Sequence, residues 1–254
     1  MTTLQILAAG SLRAVWPALI AAFRAQSNFN VETDFGPAGL LRQRIEASER
    51  CDFFASANQQ HPEALLAQHR ANQIGIFATN TLCLTFRRDI VTHDADWLSI
   101  LMREDLRLAT STPQSDPSGD YTWQLFDNID DMHPGYGKNL RSKARPLVGG
   151  PESLAVPAGE LAAQWLIEQQ HADMFIGYAS YAPRLRQCAH LHVLEIPAPY
   201  NVVAEYGWAC CTAAARPFAL FLDSDIAQAI MRQHGFQPAH YTAMAINTPP
   251  NSAT

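Results

Sequence analysis

The chain of 254 residues has little that would suit it to bind nucleic acid or to cross a membrane. Its 18 lysines and arginines are outnumbered by 24 aspartates and glutamates, so the formal net charge is −6. Nucleic-acid binding usually needs a basic face that supplies most of the affinity. The sequence also lacks an uninterrupted apolar run of about 18 residues, the length of a membrane-spanning helix. We therefore expect neither a nucleic-acid partner nor membrane insertion.

Motifs of catalysis and of metal binding are also missing. The five cysteines are an odd number without paired spacing, and the nine histidines include no HExxH pattern, so neither a disulfide framework nor a metal centre is expected. The sequence has no P-loop, GxGxxG or GxSxG motif in a suitable context, and we expect no enzymatic activity and no cofactor. The opening residues, MTTLQILAAGSL, lack the basic segment and the long apolar segment of a secretory signal.

The first part of the chain alternates strands and helices. Short apolar runs predict strands at 4–8, 31–35 and 52–55, and apolar residues at helical spacing predict helices at 11–26 and 40–47. This βαβαβ order implies a parallel sheet. Ligands of such sheets bind beyond the carboxyl ends of the strands, where the connecting turns converge.

A second set of elements begins near residue 81, and the stretch 133–157 is the least readable part of the sequence. The other predicted strands are 81–86, 106–110, 174–178, 191–196 and 202–212, and the other predicted helices are 97–102, 120–129, 160–170 and 217–234. Crossings near 80–86 and 198–208 would join two lobes, residues 1–82 plus 199–254 and residues 83–198. We thus predict an α/β fold of two lobes, each a mixed, mostly parallel sheet flanked by helices, with a ligand cleft between them.

Four turns place small or hydroxyl-bearing residues where a helix is predicted to start. They are Ala9-Gly10-Ser11, Pro37-Ala38-Gly39, Asp116-Pro117-Ser118-Gly119 and Ala158-Gly159-Glu160. Helix starts carry unpaired N–H groups and the positive end of the helix dipole, and small residues let an anion approach the backbone. Two turns from each lobe could therefore surround an oxoanion. Each turn alone is equally explained as an ordinary helix cap, with Ser11 as the capping residue.

Several motifs, in order along nearly the whole chain, resemble those of molybdate- and tungstate-binding proteins of ABC importers. They are Leu7-Ala8-Ala9-Gly10-Ser11-Leu12, Gly36-Pro37-Ala38-Gly39, Asp52-Phe53-Phe54-Ala55-Ser56-Ala57, Asn80, Asp116-Pro117-Ser118-Gly119, Met174-Phe175-Ile176-Gly177-Tyr178-Ala179-Ser180 and Gly235-Phe236. The chain departs from the third motif at Asn58, where the family has an acid. The resemblance implies the two-lobed fold of periplasmic binding proteins of type 2. It further implies that the chain captures molybdate or tungstate and passes it to an ABC transporter permease.

The resemblance also implies which residues hold the oxoanion. Hydroxyl or backbone N–H donors would be Gly10, Ser11, Ala38, Gly39, Ser118, Glu160 and Tyr178. Asp116 and Glu160 resemble the carboxylates of the type first found in archaea, which bind the metal atom of the oxoanion in octahedral geometry. Such carboxylates would repel sulfate and phosphate, because these anions cannot readily accept additional ligands.

Alternatives remain open for each acid. Asp116 would also suit a hydrogen bond within its Asp-Pro turn, and Glu160 a first-turn acid of a helix. Glu152 or Glu168 could be the true counterpart of Glu160, because the stretch between Gly119 and Gly159 is shorter and differently composed than the octahedral type leads us to expect. Tyr178 could instead be a structural strand tyrosine.

Three further alternatives concern function and location. The ligand could be sulfate, phosphate or another small oxoanion, the protein could be a cytoplasmic oxoanion sensor, or Asp116 and Glu160 could act as the acid and base of an enzyme. The resemblance implies a periplasmic or extracellular protein, and the missing signal segment keeps the cytoplasm open. A monomer is expected.

Overall fold

A computed structural model shows two five-stranded sheets, each flanked by helices, and describes residues 2–90 and 96–239. The strands are β1 Thr2–Ala9, β2 Phe29–Gly36, β3 Phe53–Ala55, β4 Gln73–Asn80, β5 Leu82–Arg87, β6 Leu108–Ser111, β7 Arg145–Val148, β8 Met174–Tyr178, β9 Leu191–Glu195 and β10 Ala204–Cys210. The helices are α1 Trp16–Ala25, α2 Ala38–Glu46, α3 Gln60–Ala67, α4 Trp97–Met102, α5 Pro117–Met132, α6 Tyr136–Lys143, α7 Ala162–Glu168, α8 Ala182–Leu185, α9 Arg216–Leu222 and α10 Asp225–Gln233.

Both sheets are mixed in the same way. The first has the order β2-β1-β3-β10-β4, and only β10 runs against the other four strands. The second has the order β7-β6-β8-β5-β9, and only β5 runs against the others. We call the first sheet with its helices lobe 1 and the second sheet with its helices lobe 2. This architecture confirms the predicted two-lobed α/β fold class. The predicted lobe boundaries stay predictions, and residues 240–254 lie outside the described part of the chain.

Two asparagines hold the connections between the lobes. Asn80 ends β4, is buried, and its side-chain oxygen accepts the N–H groups of Thr81 and Ser180 at 2.9 and 3.2 Å. Asn201 accepts the N–H groups of Leu82 and Val202 at 3.0 and 2.8 Å and donates to the carbonyl of Leu82 at 2.9 Å. Each amide therefore takes the place of a missing backbone partner where the chain leaves one sheet for the other.

One large core extends through both lobes, and a smaller core lies on one face of the second sheet. The large core contains the aromatic side chains of lobe 1, where Phe218 packs edge-on against Phe23 and Phe53 with ring centroids 5.0 and 4.9 Å apart. The smaller core lies between β5, β8 and α7 and includes Cys83, Phe175 and Leu166. Among the described residues, no helix is long and apolar enough to cross a membrane.

The structure corrects several predicted elements. The helix predicted over 11–26 begins as a separate 3-10 turn, Gly10–Leu12, and the α-helix starts only at Trp16, next to Pro17. The single helix predicted over 217–234 is two helices, because Ser224 caps a new start by accepting the N–H of Ala227 at 3.3 Å. The unassigned stretch 133–157 contains α6 and β7. The predictions of 97–102 and 174–178 match α4 and β8.

Candidate ligand-binding site

A cleft of about 370 Å³ lies where strand ends of both sheets converge. β1 and β2 reach it from lobe 1 at Ala9 and Gly36, and β6 and β8 reach it from lobe 2 at Ser111 and Tyr178. These are the carboxyl ends of their strands, the edge at which α/β sheets bind ligands. All of the sequence-predicted site residues except Gly39 line this cleft.

The turn after β1 presents a hydroxyl group and a carbonyl group to the cleft. Ser11 accepts a hydrogen bond from the Tyr206 hydroxyl at 3.0 Å, which leaves the hydrogen of the serine hydroxyl free to be donated elsewhere. The Gly10 carbonyl accepts from Arg13 N–H at 3.2 Å and from the Tyr181 hydroxyl of lobe 2 at 3.4 Å. Gly10 and Ser11 thus lie at the cleft, in a 3-10 turn.

The start of α2 separates two residues that were predicted together. Ala38 is the first residue of the helix, is buried and lines the cleft, and N–H groups in the first turn have no partner within the helix. Gly39 does not line the cleft, because its N–H is donated to the Ser115 carbonyl of lobe 2 at 3.0 Å. The prediction of Gly39 as a ligand donor is therefore replaced by a contact between the lobes.

Asp116 and Ser118 form the cap of α5 at the cleft. Asp116 precedes the helix, and its Oδ1 accepts the N–H of Ser118 at 3.1 Å, which is the capping alternative. Burial raises the pKa of the Asp116 carboxyl to about 6, while hydrogen bonds from Ser118 and Ser111 oppose that rise. Near neutral pH this carboxyl can therefore be shifted to its protonated form by a modest change in its surroundings.

Glu160 lines the cleft but does not begin a helix. Its N–H is donated to the Pro157 carbonyl at 3.1 Å in a turn, and α7 starts two residues later at Ala162. The side chain is exposed. The predicted helix start at Glu160 is wrong, because Gly159 adopts a positive φ of 86° and ends the preceding segment in a turn. Of the two alternatives, Glu152 is not among the residues that line the cleft, and Glu168 pairs with His190 at 2.9 Å.

Tyr178 lines the cleft and carries a buried hydroxyl group. The side chain is 4% exposed, and its hydroxyl has no hydrogen-bond partner among the described residues. Its ring packs edge-on against Tyr206, with centroids 5.7 Å apart. Burial raises the pKa of Tyr178 and of Tyr206 well above the usual range, so both phenols stay protonated and can donate hydrogen bonds.

Two arginines at the cleft were missed by the sequence interpretation. Arg13 lies over the Phe35 ring, 4.8 Å from its centroid, and Arg184 donates to the Gly159 carbonyl at 2.6 Å. Both line the cleft, one from each lobe, so the positive charge there is not confined to helix ends. Arg13 follows the Gly10–Ser11 turn by two residues, a signal that the sequence did contain. Arg184 lies in α8, and nothing in its local sequence marks it.

A family model and a full-length relative place the chain among known proteins. The family model of bacterial extracellular solute-binding proteins matches residues 4–237. An uncharacterised protein of Pasteurella multocida is 48% identical over 241 residues, which cover 94% of this chain and all of the relative. A molybdate/tungstate-binding protein of Thermococcus kodakarensis is 26% identical over 152 residues, which cover 55% of this chain and 42% of that protein.

Solved structures agree on the fold at low sequence identity. The sulfate-binding protein SubI of Mycobacterium tuberculosis superimposes with a TM-score of 0.77 at 18% identity, covering 95% of this chain and 88% of that one. A periplasmic molybdate-binding protein of Azotobacter vinelandii gives a TM-score of 0.70 at 19% identity, covering 93% and 99%. These similarities establish a two-lobed fold of the type found in periplasmic binding proteins, and the solved relatives named here are binding proteins.

Proposed function

Since the chain belongs to the family of bacterial extracellular solute-binding proteins, we propose that it captures a small oxoanion in the cleft between its lobes and delivers it to the permease of an ABC transporter. The observation that carries this proposal is the buried hydroxyl of the cleft-lining residue Tyr178, which has no hydrogen-bond partner within the described part of the chain. An unpaired buried hydroxyl costs about 1–3 kcal/mol, and a bound acceptor would recover that energy. The proposed location is the periplasm or the cell exterior.

The proposed donors come from both lobes. Lobe 1 supplies the Gly10–Ser11 turn and the N–H of Ala38, and lobe 2 supplies Tyr178 and the start of α5 at Ser118. Neutral donors of this kind bind a dianion without excess charge, because a helix start carries about half a positive charge. Binding to both lobes at once favours the closed arrangement over an open one.

Molybdate and tungstate are the first candidate ligands. Similarity to the Thermococcus kodakarensis protein and the fold shared with the Azotobacter vinelandii protein support them. Sulfate remains the alternative, supported by the fold shared with the Mycobacterium tuberculosis protein. Titration calorimetry of dialysed protein with tungstate, molybdate, sulfate and phosphate separates these ligands, and the absence of binding by all four would refute capture of a bare oxoanion.

Carboxylate coordination of the metal atom by Asp116 and Glu160 is a separate proposal about the same site. Exposure of the Glu160 side chain and the capping bond of Asp116 to Ser118 weaken it. Asp116→Asn tests it, because an amide keeps a hydrogen bond to the ligand but is a poor metal ligand. Unchanged tungstate affinity supports hydrogen bonding alone, whereas loss of tungstate affinity with retained sulfate affinity supports coordination.

A second substitution tests Glu160 in the same way. If Glu160 coordinates the metal, Glu160→Gln should weaken tungstate binding. If the carboxylate only lies near the anion, removing its charge should strengthen binding of every dianion, because like charges repel.

A further inference from the structure

The cleft continues beyond the proposed oxoanion donors into the smaller core of lobe 2. We call this extension the apolar arm, and it is lined by Cys83, Leu161, Ala162, Phe175, Gly177 and Leu185. Cys83, Leu161, Phe175 and Leu185 are also members of the smaller hydrophobic core. The same cavity is therefore polar where the lobes meet and apolar inside lobe 2.

Small residues on neighbouring elements create the apolar arm. Cys83 of β5 lies opposite Gly177 of β8 in the antiparallel register, so this face of the sheet has no large side chain at either position. A Cβ atom at position 177 would approach the Phe175 ring to 2.7 Å, so the ring covers Gly177 and supplies the apolar surface there. The first residue of α7 above the sheet, Ala162, is small as well.

The apolar arm carries no charge of its own. Its one titratable group is the Cys83 thiol, and burial raises the pKa of that thiol to about 12. The thiol also contacts the Tyr178 carbonyl at 3.7 Å, so its weak donor is already used. Arg13 and Arg184, which line the same cavity, are exposed residues. Apart from the buried Thr85, which also lines the cavity, the residues here favour apolar atoms of a ligand.

The volume of the cleft exceeds the needs of a bare oxoanion. A tetrahedral oxoanion has five heavy atoms, whereas a cavity of 370 Å³ falls within the range of about 300–1,000 Å³ that organic small-molecule sites occupy. A bare oxoanion bound by the donors near Ser11 and Tyr178 would leave the arm without a solute. An organic group attached to the oxoanion would instead bury its surface against Leu161 and Phe175.

We propose that the cleft binds an oxoanion that carries a short apolar organic group, as in an organophosphonate, an organosulfonate or a phosphate monoester. The head group occupies the donors between the lobes and the organic group occupies the apolar arm. This proposal rests on the proposed function, because the head group uses the same oxoanion donors. The ligand class is inferred from the shape of the cavity inside lobe 2.

Affinity should grow with the apolar group until the arm is filled. Burial of one methylene group strengthens binding about fourfold. We therefore expect propylphosphonate to bind at least tenfold more tightly than methylphosphonate, and phenylphosphonate to bind at least as tightly as propylphosphonate. The calorimetric series is phosphate, methylphosphonate, propylphosphonate and phenylphosphonate, with tungstate and molybdate as bare oxoanions.

A variant that fills the apolar arm separates the organic group from the head group. Ala162→Phe lies at a half-buried position on the first turn of α7. It should lower the affinity for phenylphosphonate at least tenfold and change the affinity for tungstate or phosphate less than threefold. Gln164→Phe is the matched control, since Gln164 lies on the same helix away from the cleft. Both variants should show the same circular dichroism and thermal unfolding as the parent protein.

The outcomes distinguish the two proposals. Tighter binding of longer phosphonates, lost in Ala162→Phe and kept in Gln164→Phe, supports the apolar arm. Binding of bare oxoanions with no gain from the organic group, or an equal loss for all ligands in Ala162→Phe, overturns the arm and leaves oxoanion capture standing. Absence of binding by any bare or substituted oxoanion overturns oxoanion capture itself.

Discussion

Replacing Gly39 by alanine should hold the two lobes apart. The N–H of Gly39 in lobe 1 is donated to the Ser115 carbonyl of lobe 2 at 3.0 Å. A Cβ atom at position 39 would lie 2.6 Å from the Gln114 carbonyl oxygen and 2.8 Å from that of Ser115. Both neighbours are backbone atoms of the other lobe, so a side-chain rotation cannot relieve the contact. The lobes must separate, or the loop around residue 114 must move.

The expected cost follows from the size of the overlap. Restoring the nearest contact from 2.6 Å to the 3.4 Å of ordinary van der Waals contact requires a shift of 0.8 Å. Overpacking of this kind costs roughly 1–3 kcal/mol. If that energy opposes closure alone, ligand affinity falls about 5- to 150-fold. The variant should not unfold more easily, because alanine is favoured over glycine within a helix by about 1 kcal/mol.

Titration calorimetry with tungstate, alongside small-angle scattering with and without the ligand, measures both consequences. We expect Gly39→Ala to bind more weakly and to stay more extended at a ligand concentration that compacts the parent protein. Gln43→Ala is the control, because Gln43 is an exposed residue of the same helix that does not line the cleft. Unchanged affinity in Gly39→Ala would refute a role for this contact in closure.

Three other substitutions test separate parts of the molecule. Tyr178→Phe removes an unpartnered hydroxyl, so the ligand-free protein should unfold at equal or higher urea concentration while oxoanion affinity falls about tenfold. Burial lowers the pKa of His61 to about 4, so the neutral imidazole stabilises the folded protein above pH 6.5 and this contribution is lost as the pH falls towards 4. The free energy of unfolding in urea should therefore fall by roughly 3 kcal/mol over this pH range. His61→Gln should abolish this pH dependence. Asn201→Ala removes the hydrogen bonds between Asn201 and the Leu82 backbone and should destabilise the protein by about 2–4 kcal/mol in the same assay.

Strongly patterned segments were predictable from the sequence, and the reason is local. The helix Trp97–Met102 and the strand Met174–Tyr178 have the bounds that the sequence predicts. Asp96 caps the helix by accepting the Ser99 N–H at 2.8 Å, and a continuous apolar run fills the buried strand. In both cases the signals that decide the element lie within a few residues of it.

Elements whose signals were weak or distant were missed. The helix Tyr136–Lys143 has a largely polar surface, and its start depends on Gly135 with a φ of 92° and on Asp130, which accepts the N–H groups of Gly135 and Gly137 at 2.9 and 2.8 Å. The break before Asp225 depended on Ser224, a recognisable capping residue that the apolar pattern obscured. Such capping signals carry little weight when a neighbouring periodic pattern suggests one long helix.

The site itself was predictable only as a set of loops. The motif residues Gly10, Ala38 and Ser118 line one cleft because each lies just after the carboxyl end of a strand or in the first turn of the helix that follows it. The order of strands and helices along the chain already implies this placement. The tertiary structure decides which backbone N–H groups remain free to bind a ligand. The N–H of Gly39 is taken by a carbonyl group more than seventy residues away in the sequence, and no local pattern contains that information.

Asp116 shows why capping and ligand binding cannot be separated by sequence. Its carboxyl accepts the N–H of Ser118, the donor proposed for the oxoanion, so carboxylate and anion compete for one hydrogen bond. Displacing the carboxylate from this buried cap leaves a charge with fewer partners, and burial has already raised its pKa to about 6. If the proposed oxoanion binds here, its charge would disfavour the Asp116 carboxylate further and would favour proton uptake. A protonated Asp116 could donate to the oxoanion, so the carboxyl that caps α5 would become a donor to the proposed ligand.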